Sequence, residues 1–456
     1  MRISRSLVWL LGILLLGTVL RLVWVYEVNT QPVYDFKRYH DLAMSVLHHG
    51  TYEIPEGLDY IKADTPYIKT GVHYPTAFRP PGYPLFLAAI YAVWPNILAA
   101  KLVNVALGVV WMAGMYLLGK RFFGEKAGLW AAFITAIFPP AISYTSVIST
   151  EILSVALVLV ILCIHAYKIG SLWLRSLILG LLTGFLVLVK PYYEVFPVIY
   201  FILLWWQQGE TKWADWKPRL KKCLLGTVML AVAMAAVIAP WSVRNYKVLD
   251  RFVPISTNGG FVLYINNNDL AAGKYMDALK VPNSIFLTDR ILDDQGTYNE
   301  ADAMKLAGKE AKSWMWHHPR ETLFLGITRL ALSYSQVGTE IWEWTMSKAT
   351  LRFDQSWVNP TIQVHRLAST LIVGGGLMYA TLILWQFARR RPMNPLHKVN
   401  LLFIAFYTAV IFASEGQPRY TFVLFPFLIF GVVWLGTRLT AAMLGDSDGE
   451  SDAVLD

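Results

Sequence analysis

The chain has 456 residues, 55% of them hydrophobic and only 16% charged, with mean hydropathy +0.44 and formal net charge +9. A soluble domain carries about 25% charged residues, and a soluble chain of this length has no interior large enough for so much apolar surface. A water-soluble fold is therefore excluded, and a lipid bilayer, which accepts that surface, is the solvent the composition demands.

The positive charge does not require nucleic acid. The tail GDSDGESDAVLD holds five acids and no base, which leaves +14 on the remainder once those charges are removed. Much of that excess sits in short connections between apolar runs, as the positive-inside rule expects. The 18 Trp and 23 Tyr suit long membrane–water boundaries. Cys163 and Cys223 are the only cysteines and lie in apolar runs, so neither a disulfide framework nor a CxxC metal site fits.

In chain order, the run from Ser6 to Tyr26 reads as a retained helix, because no small-residue cleavage site follows it. With about 20 apolar residues needed per crossing, the candidate spans are 6–26, 98–118, 127–148, 151–168, 172–189, 192–206, 222–240, 364–386, 399–415 and 419–440. This predicts an all-α polytopic membrane protein of about 10 transmembrane helices, within a range of 9 to 12, and amphipathic helices in the external loops. The basic connections, from Arg2 and Arg5 to Arg389–Arg391 and Lys398, then share one side, assigned as cytoplasmic. The other side receives 27–97, the turns near 139–150 and 190–192, the long segment 241–363 and the turn 415–418. Counting 82–95 or 322–336 as a crossing would put a basic connection on the wrong side, so both read as interfacial or re-entrant helices. The corresponding units are 1–240, with a first external loop 27–97; an external segment 241–363; helices over 364–440; and an acidic, disordered cytoplasmic tail over 441–456.

Two external segments are rich in polar groups. In QPVYDFKRYHDLA, residues 31–43, five ionisable groups fall within seven positions, and a helix over this stretch sets Asp35 and Tyr39 on one face. Asp35 reads either as a catalytic acid or as a loop acid and cap; His40 and Asp41 read as a solvated face. In FRPPGYPLFLAAIYAV, residues 78–93, prolines stiffen a turn headed by Arg79. SVISTEILSVAL places Glu151 in the first turn of an apolar helix that Ser149 or Thr150 could cap, where it serves either the helix dipole or a substrate. Lys190 ends one apolar run in LVLVKPYYEVFP, Arg244 follows another in IAPWSVRNY, and Arg419 starts the last in SEGQPRYTFVLFPF. All four cations stand on the side that the positive-inside rule disfavours, which marks them as functional candidates. Arginine forks match phosphate oxygens, although for Arg79 and Lys190 snorkelling to lipid headgroups is an equal reading. His48, His49 and His73 lack the tight spacing of a metal site.

The succession VYDFKRYHDLA, FRPPGYPLFLA, STEIL, LVKP, APWSVRNY, STNGGFVLYINNN and QPRY resembles the GT-C membrane glycosyltransferases. Within them it is most similar to the dolichyl-phosphate-mannose protein mannosyltransferase-like branch and its aminoarabinose-transferase relatives. The resemblance implies transfer of a hexose or pentose from a polyprenyl-phosphate donor to a glycan, glycolipid or protein acceptor of the cell envelope. The expected place is the outer face of a bacterial inner membrane. It implies Asp35 as the catalytic base, Arg79, Lys190, Arg244 and Arg419 as donor-phosphate ligands, and Tyr39, Tyr83, Glu151, Tyr192, Asn258 and Tyr420 as substrate contacts. One displacement step implies inversion at the anomeric carbon. No cofactor is required by the resemblance, and a divalent metal stays open. Where the mannosyl and aminoarabinose relatives carry Asp-Glu, this chain has Asp35 followed by Phe36, which speaks against those two acceptor classes. The alternative class is a transporter or flippase of a lipid-linked sugar, which would set ionisable groups mid-span.

Overall fold

The structure is a computed structural model that describes residues 4–54, 74–208, 216–292, 296, 298–391 and 393–443. The acidic tail from 444 and His73 lie outside the described residues.

All ten predicted runs are helical. Helices α1 (Arg5–Glu27), α2 (Tyr34–His49), α3 (Gly82–Val93), α4 (Ile97–Phe123), α5 (Glu125–Ile137), α6 (Pro139–Ser143), α7 (Thr150–Ala166), α8 (Leu172–Val189), α9 (Phe196–Gln207) and α10 (Trp216–Leu249) form the first half. They are followed by α11 (Asn258–Asn266), α12 (Glu300–His317), α13 (Pro319–Ser335), α14 (Val337–Met346), α15 (Val358–Ala388), α16 (Pro395–Ala413) and α17 (Phe425–Met443). Among the described residues seven helices are long and apolar enough to cross a membrane, and α5 with α6 makes an eighth if that bent pair counts as one span. The predicted span 127–148 is therefore not straight. It bends by 61° where Phe138 and Pro139 interrupt the helix, because proline supplies no N–H to the preceding turn. The other two runs form α7, of 17 residues, and the 12-residue α9 after a 3-10 turn. The molecule is a multi-pass membrane protein.

The break explains a charge inside the first helix. Arg21 is fully buried, and its guanidinium donates to the carbonyls of Thr135, Ala136 and Gly17. Thr135 and Ala136 belong to the last turn of α5, whose carbonyls have no onward helical donors. The spans are thus less free of charge than their sequence suggested, but this charge satisfies backbone.

At 12 residues α3 rises only ~18 Å and cannot cross a ~30 Å hydrocarbon core. The run 322–336 lies in α13, which carries Arg320, Glu321 and Arg329 and is not among the membrane-length apolar helices. The only strands among the described residues are two-residue pairs, β1 (Val28–Asn29) with β4 (Thr350–Leu351) and β2 (Glu53–Ile54) with β3 (Tyr74–Pro75). Both are antiparallel; β1–β4 ties segment 27–97 to segment 241–363, and β2–β3 closes within 27–97. A separate cluster, built on Phe261, Tyr264, Phe286 and Met304, receives Phe78 and so anchors the residue next to Arg79.

Candidate active site

The backbone sets each group in place. Val33 is extended, Tyr34 has a positive φ of 46°, and α2 starts immediately, so Asp35 lies in a helical first turn, where the dipole favours a carboxylate. Arg79 precedes Pro80 and Pro81, and α3 begins at Gly82. A Cβ on Gly82 would lie 2.6 Å from the carbonyl carbon of Leu188; only glycine allows this backbone contact with the end of α8. Lys190 ends α8 in an extended conformation, the conformation that a following proline imposes. Arg419 and Tyr420 lie in the 3-10 turn Pro418–Leu424 that opens the last span.

These elements enclose a cavity of about 540 Å³. Of the eleven residues singled out in the sequence, nine line it: Asp35, Tyr39, Arg79, Glu151, Lys190, Tyr192, Asn258, Arg419 and Tyr420. Its remaining wall is largely apolar, with Val189, Val262, Leu263, Val410 and Ile411. Five of the charges form a triad and a pair. Arg79 Nη2 donates to Asp35 Oδ1 at 2.8 Å and Arg419 Nη2 to Asp35 Oδ2 at 2.6 Å. Lys190 Nζ donates to Glu151 Oε1 at 3.0 Å, and Glu151 Oε2 has no hydrogen-bond partner among the described residues. Burial alone would raise the Asp35 carboxyl, but the two guanidiniums outweigh it and hold the group well below the usual carboxylate range.

Arg419 is the more firmly seated cation. Its Nε donates to Gln417 Oε1 at 2.5 Å and its backbone N–H to Glu340 Oε2 at 3.3 Å. Its guanidinium carbon lies 5.4, 5.1 and 5.5 Å from the ring centres of Phe36, Trp344 and Tyr420, within cation–π range.

Two singled-out residues are not brought to the cavity. Arg244 donates to the carbonyls of Thr76 and Tyr52 and to Asn245 Oδ1. It latches the chain on both sides of the 55–73 segment and is not in reach of a ligand here. Tyr83 is buried behind Tyr39, ring centres 5.3 Å apart and edge-on. The expected cap of α7 is also absent: Ser149 occupies the N-cap position without a side-chain hydrogen bond. Within the opening cluster, Asp41 pairs with Lys37 and Arg38, and His40 contacts Tyr91.

Some residues were missed. Glu300 accepts from Thr76 Oγ1, the Ala77 N–H and Thr257 Oγ1, and so fixes the strand that delivers Arg79. Glu415 and Gln417 stand beside Arg419; a buried acid at the mouth of a span is a signal that the sequence did display. Glu340 and Trp344, from the external segment, carried no such signal. A second cavity of about 420 Å³, lined by Tyr34, Lys274, Tyr275, Glu340, Glu343 and Trp344 among others, adjoins the first. The shared wall is alternate: Tyr34 and Gln417 face the second cavity, while Asp35 and Arg419 face the first. Among the described residues no three His, Cys, Asp or Glu side chains stand together to hold a metal.

A family model described as dolichyl-phosphate-mannose-protein mannosyltransferase matches residues 78–241. No curated protein matches the sequence. Among solved structures, the archaeal oligosaccharyltransferase AglB from Archaeoglobus fulgidus, in complex with an inhibitory peptide and a dolichol-phosphate, is similar over 98% of this chain and 52% of its own, at 13% identity and TM-score 0.53. The Archaeoglobus fulgidus oligosaccharyltransferase in complex with Zn and sulfate gives 97%, 52%, 13% and 0.50. ArnT from Cupriavidus metallidurans bound to undecaprenyl phosphate covers 96% of this chain and 80% of its own at 14% identity, but its TM-score of 0.39 carries no weight. The chain spans about half the length of the oligosaccharyltransferases, and at such identities the likeness is one of fold. The matched segment and the shared helical architecture together show that this chain has a GT-C, mannosyltransferase-like fold.

Proposed function

We propose that this protein is an inverting glycosyltransferase that moves a sugar from a polyprenyl-phosphate donor to a cell-envelope acceptor on the non-cytoplasmic face of a bacterial inner membrane. One observation carries the reading: Asp35, bracketed by Arg79 and Arg419, faces an apolar-walled cavity that also presents Lys190. A phosphate on a greasy chain needs that combination of cations and apolar wall.

In the reaction, an acceptor hydroxyl oxygen forms a bond to the anomeric carbon as the bond from that carbon to the phosphate oxygen breaks. The hydroxyl proton passes to Asp35 and the polyprenyl phosphate leaves with the electron pair. Arg79, Lys190 and Arg419 neutralise the charge that develops on the leaving group. Asp35 gripped by two guanidiniums is a weak base. A donor phosphate that draws one guanidinium away raises its basicity once the donor is bound. The second cavity, lined by aromatic, carboxylate and amide groups, has the chemistry to hold a hydroxyl-rich acceptor next to the residues that flank Asp35 and Arg419.

The test is donor turnover by the purified full chain in detergent, supplied with membrane lipid extract from a strain lacking this protein. Release of free polyprenyl phosphate that depends on Asp35 supports the reading. Intact donor after prolonged incubation with added envelope acceptors would sink it and leave a transporter, which needs two compartments to act.

A further inference from the structure

Behind the cavity wall, next to Arg419, stands a buried carboxyl whose surroundings are the opposite of those of Asp35. Glu415 lies in the turn between α16 and the last span and is 3% exposed. Its oxygens meet neutral donors: Gln417 Nε2 at 2.8 Å from Oε1 and Tyr420 Oη at 3.5 Å from Oε2. Among the described residues no cation comes within ion-pair distance of it. Charged and titratable groups face it from each neighbouring element: Arg419 and Tyr420 from the last span, Asp35 from α2, Glu340 from α14, Arg329 from α13, and Tyr275. Burial, which outweighs the pull of Arg419, pushes its carboxyl up to about 7. Two carboxyls whose environments drive them apart in this way divide the ionised and the proton-carrying roles between them.

Gln417 joins the two. Its amide N–H₂ donates to Glu415 while its Oε1 accepts from Arg419 Nε, and Arg419 Nη2 continues to Asp35. Only one orientation of the amide serves both ends, since the flipped amide would set its N–H₂ against the guanidinium N–H. An ionised Glu415 enforces that orientation. A protonated Glu415 can itself donate, tolerates the flip, and no longer adds negative charge around Arg419.

We propose that Glu415 is a proton-linked positioning residue: ionised, it holds Arg419 on Asp35 through Gln417; protonated, it yields Arg419 to an anion entering the cavity. This rests on reading the cavity as a phosphate site. Linkage is reciprocal, so an anion that prefers the protonated form must drive proton uptake from solvent.

The experiment uses the full chain in detergent and farnesyl methyl phosphate, a phosphodiester whose single charge is constant between pH 6 and 8. Calorimetric titration at both pH values, in two buffers of different ionisation heat, gives affinity and protons taken up. The wild type should bind about three- to ten-fold more tightly at pH 6 than at pH 8, the change that moves a titration midpoint by half to one pH unit. It should take up a fraction of a proton near pH 7. Glu415→Gln should bind at pH 8 as the wild type does at pH 6, with no proton uptake. Gln417→Ala should shrink the pH ratio; an unchanged ratio overturns the route through Gln417. Wild-type binding with neither pH dependence nor proton uptake overturns the role of Glu415 and leaves the phosphate site standing. No wild-type binding at either pH removes the phosphate site and this proposal with it.

Discussion

Arg419 grips Asp35 at 2.6 Å across 384 residues of sequence, so the last span closes on α2 at the carboxylate itself. Replacing Asp35 with Asn removes the proposed proton acceptor and one competitor for both guanidiniums at once. Turnover should fall by about 10²–10⁴-fold, the usual contribution of a positioned general base. Affinity for a polyprenyl phosphate should rise, because the arginines are no longer committed. Measuring turnover and ligand binding on the same preparation checks both, and loss of both together would indicate misfolding.

Arg419→Lys should cost more than Arg79→Lys. Lysine keeps the charge but has no planar fork to serve Gln417 and Asp35 together and to lie among Phe36, Trp344 and Tyr420. The expected loss is about ten-fold or more in kcat/KM for position 419, readable by parallel kinetics of the two variants.

Arg244→Ala should lower stability and spare ligand affinity per folded molecule. It leaves the Thr76 carbonyl without its guanidinium donor and the Tyr52 carbonyl with only the Thr76 N–H, a loss of about 1.5–3 kcal/mol for each bond to a charged group. Thermal melting together with the binding constant separates this from a phosphate-ligating role, in which affinity would fall first.

Glu151 and Lys190 should couple strongly. Lys190→Met strands a carboxylate whose side chain is 3% exposed, and removal of one partner of a buried pair costs about 3–5 kcal/mol. Adding Glu151→Gln should restore most of that loss. A double-mutant cycle on melting temperature that came out additive would contradict the pairing.

Glu415 makes stability depend on pH in a stated direction. Its carboxyl titrates at about 7 in the folded chain and at about 4.3 when unfolded. Between those values the folded state holds the extra proton, so stability falls as pH rises and levels off above about 7. Glu415→Gln, which does not titrate, should match the wild type near pH 4 and exceed it at pH 8 by up to about 4 kcal/mol. Melting curves at the two pH values decide it.

The helices were legible because membrane crossing imposes a composition over a fixed length, and that constraint is written locally. The bend at Phe138 and Pro139 was less so: the prolines were visible, but Arg21, which satisfies the broken end, lies more than a hundred residues away. Site residues were legible where local oddity marked them, as with Lys190 before a proline or Arg419 on the disfavoured side. Arg244 shows the limit of that logic. It is as conspicuous as Arg419, yet its guanidinium is consumed by backbone carbonyls, and only the fold reveals which cation has spare donors. Gln417 was the reverse case, an ordinary amide made important by what stands on either side of it.

The contact of Gly82 with Leu188 has a mechanical consequence. Arg79 lies just before one side of that contact and Lys190 just after the other, so the two cations are the jaws of a gauge whose pivot is main chain pressed on main chain. Bilayers differ in thickness and lateral pressure, and helices respond by tilting. Tilt about such a pivot swings α3 and α8 without spreading it, since main chain compresses far less readily than interdigitated side chains. If the cavity is a phosphate site, the main-chain spacing behind these two cations is set by this contact more than by the lipid around it.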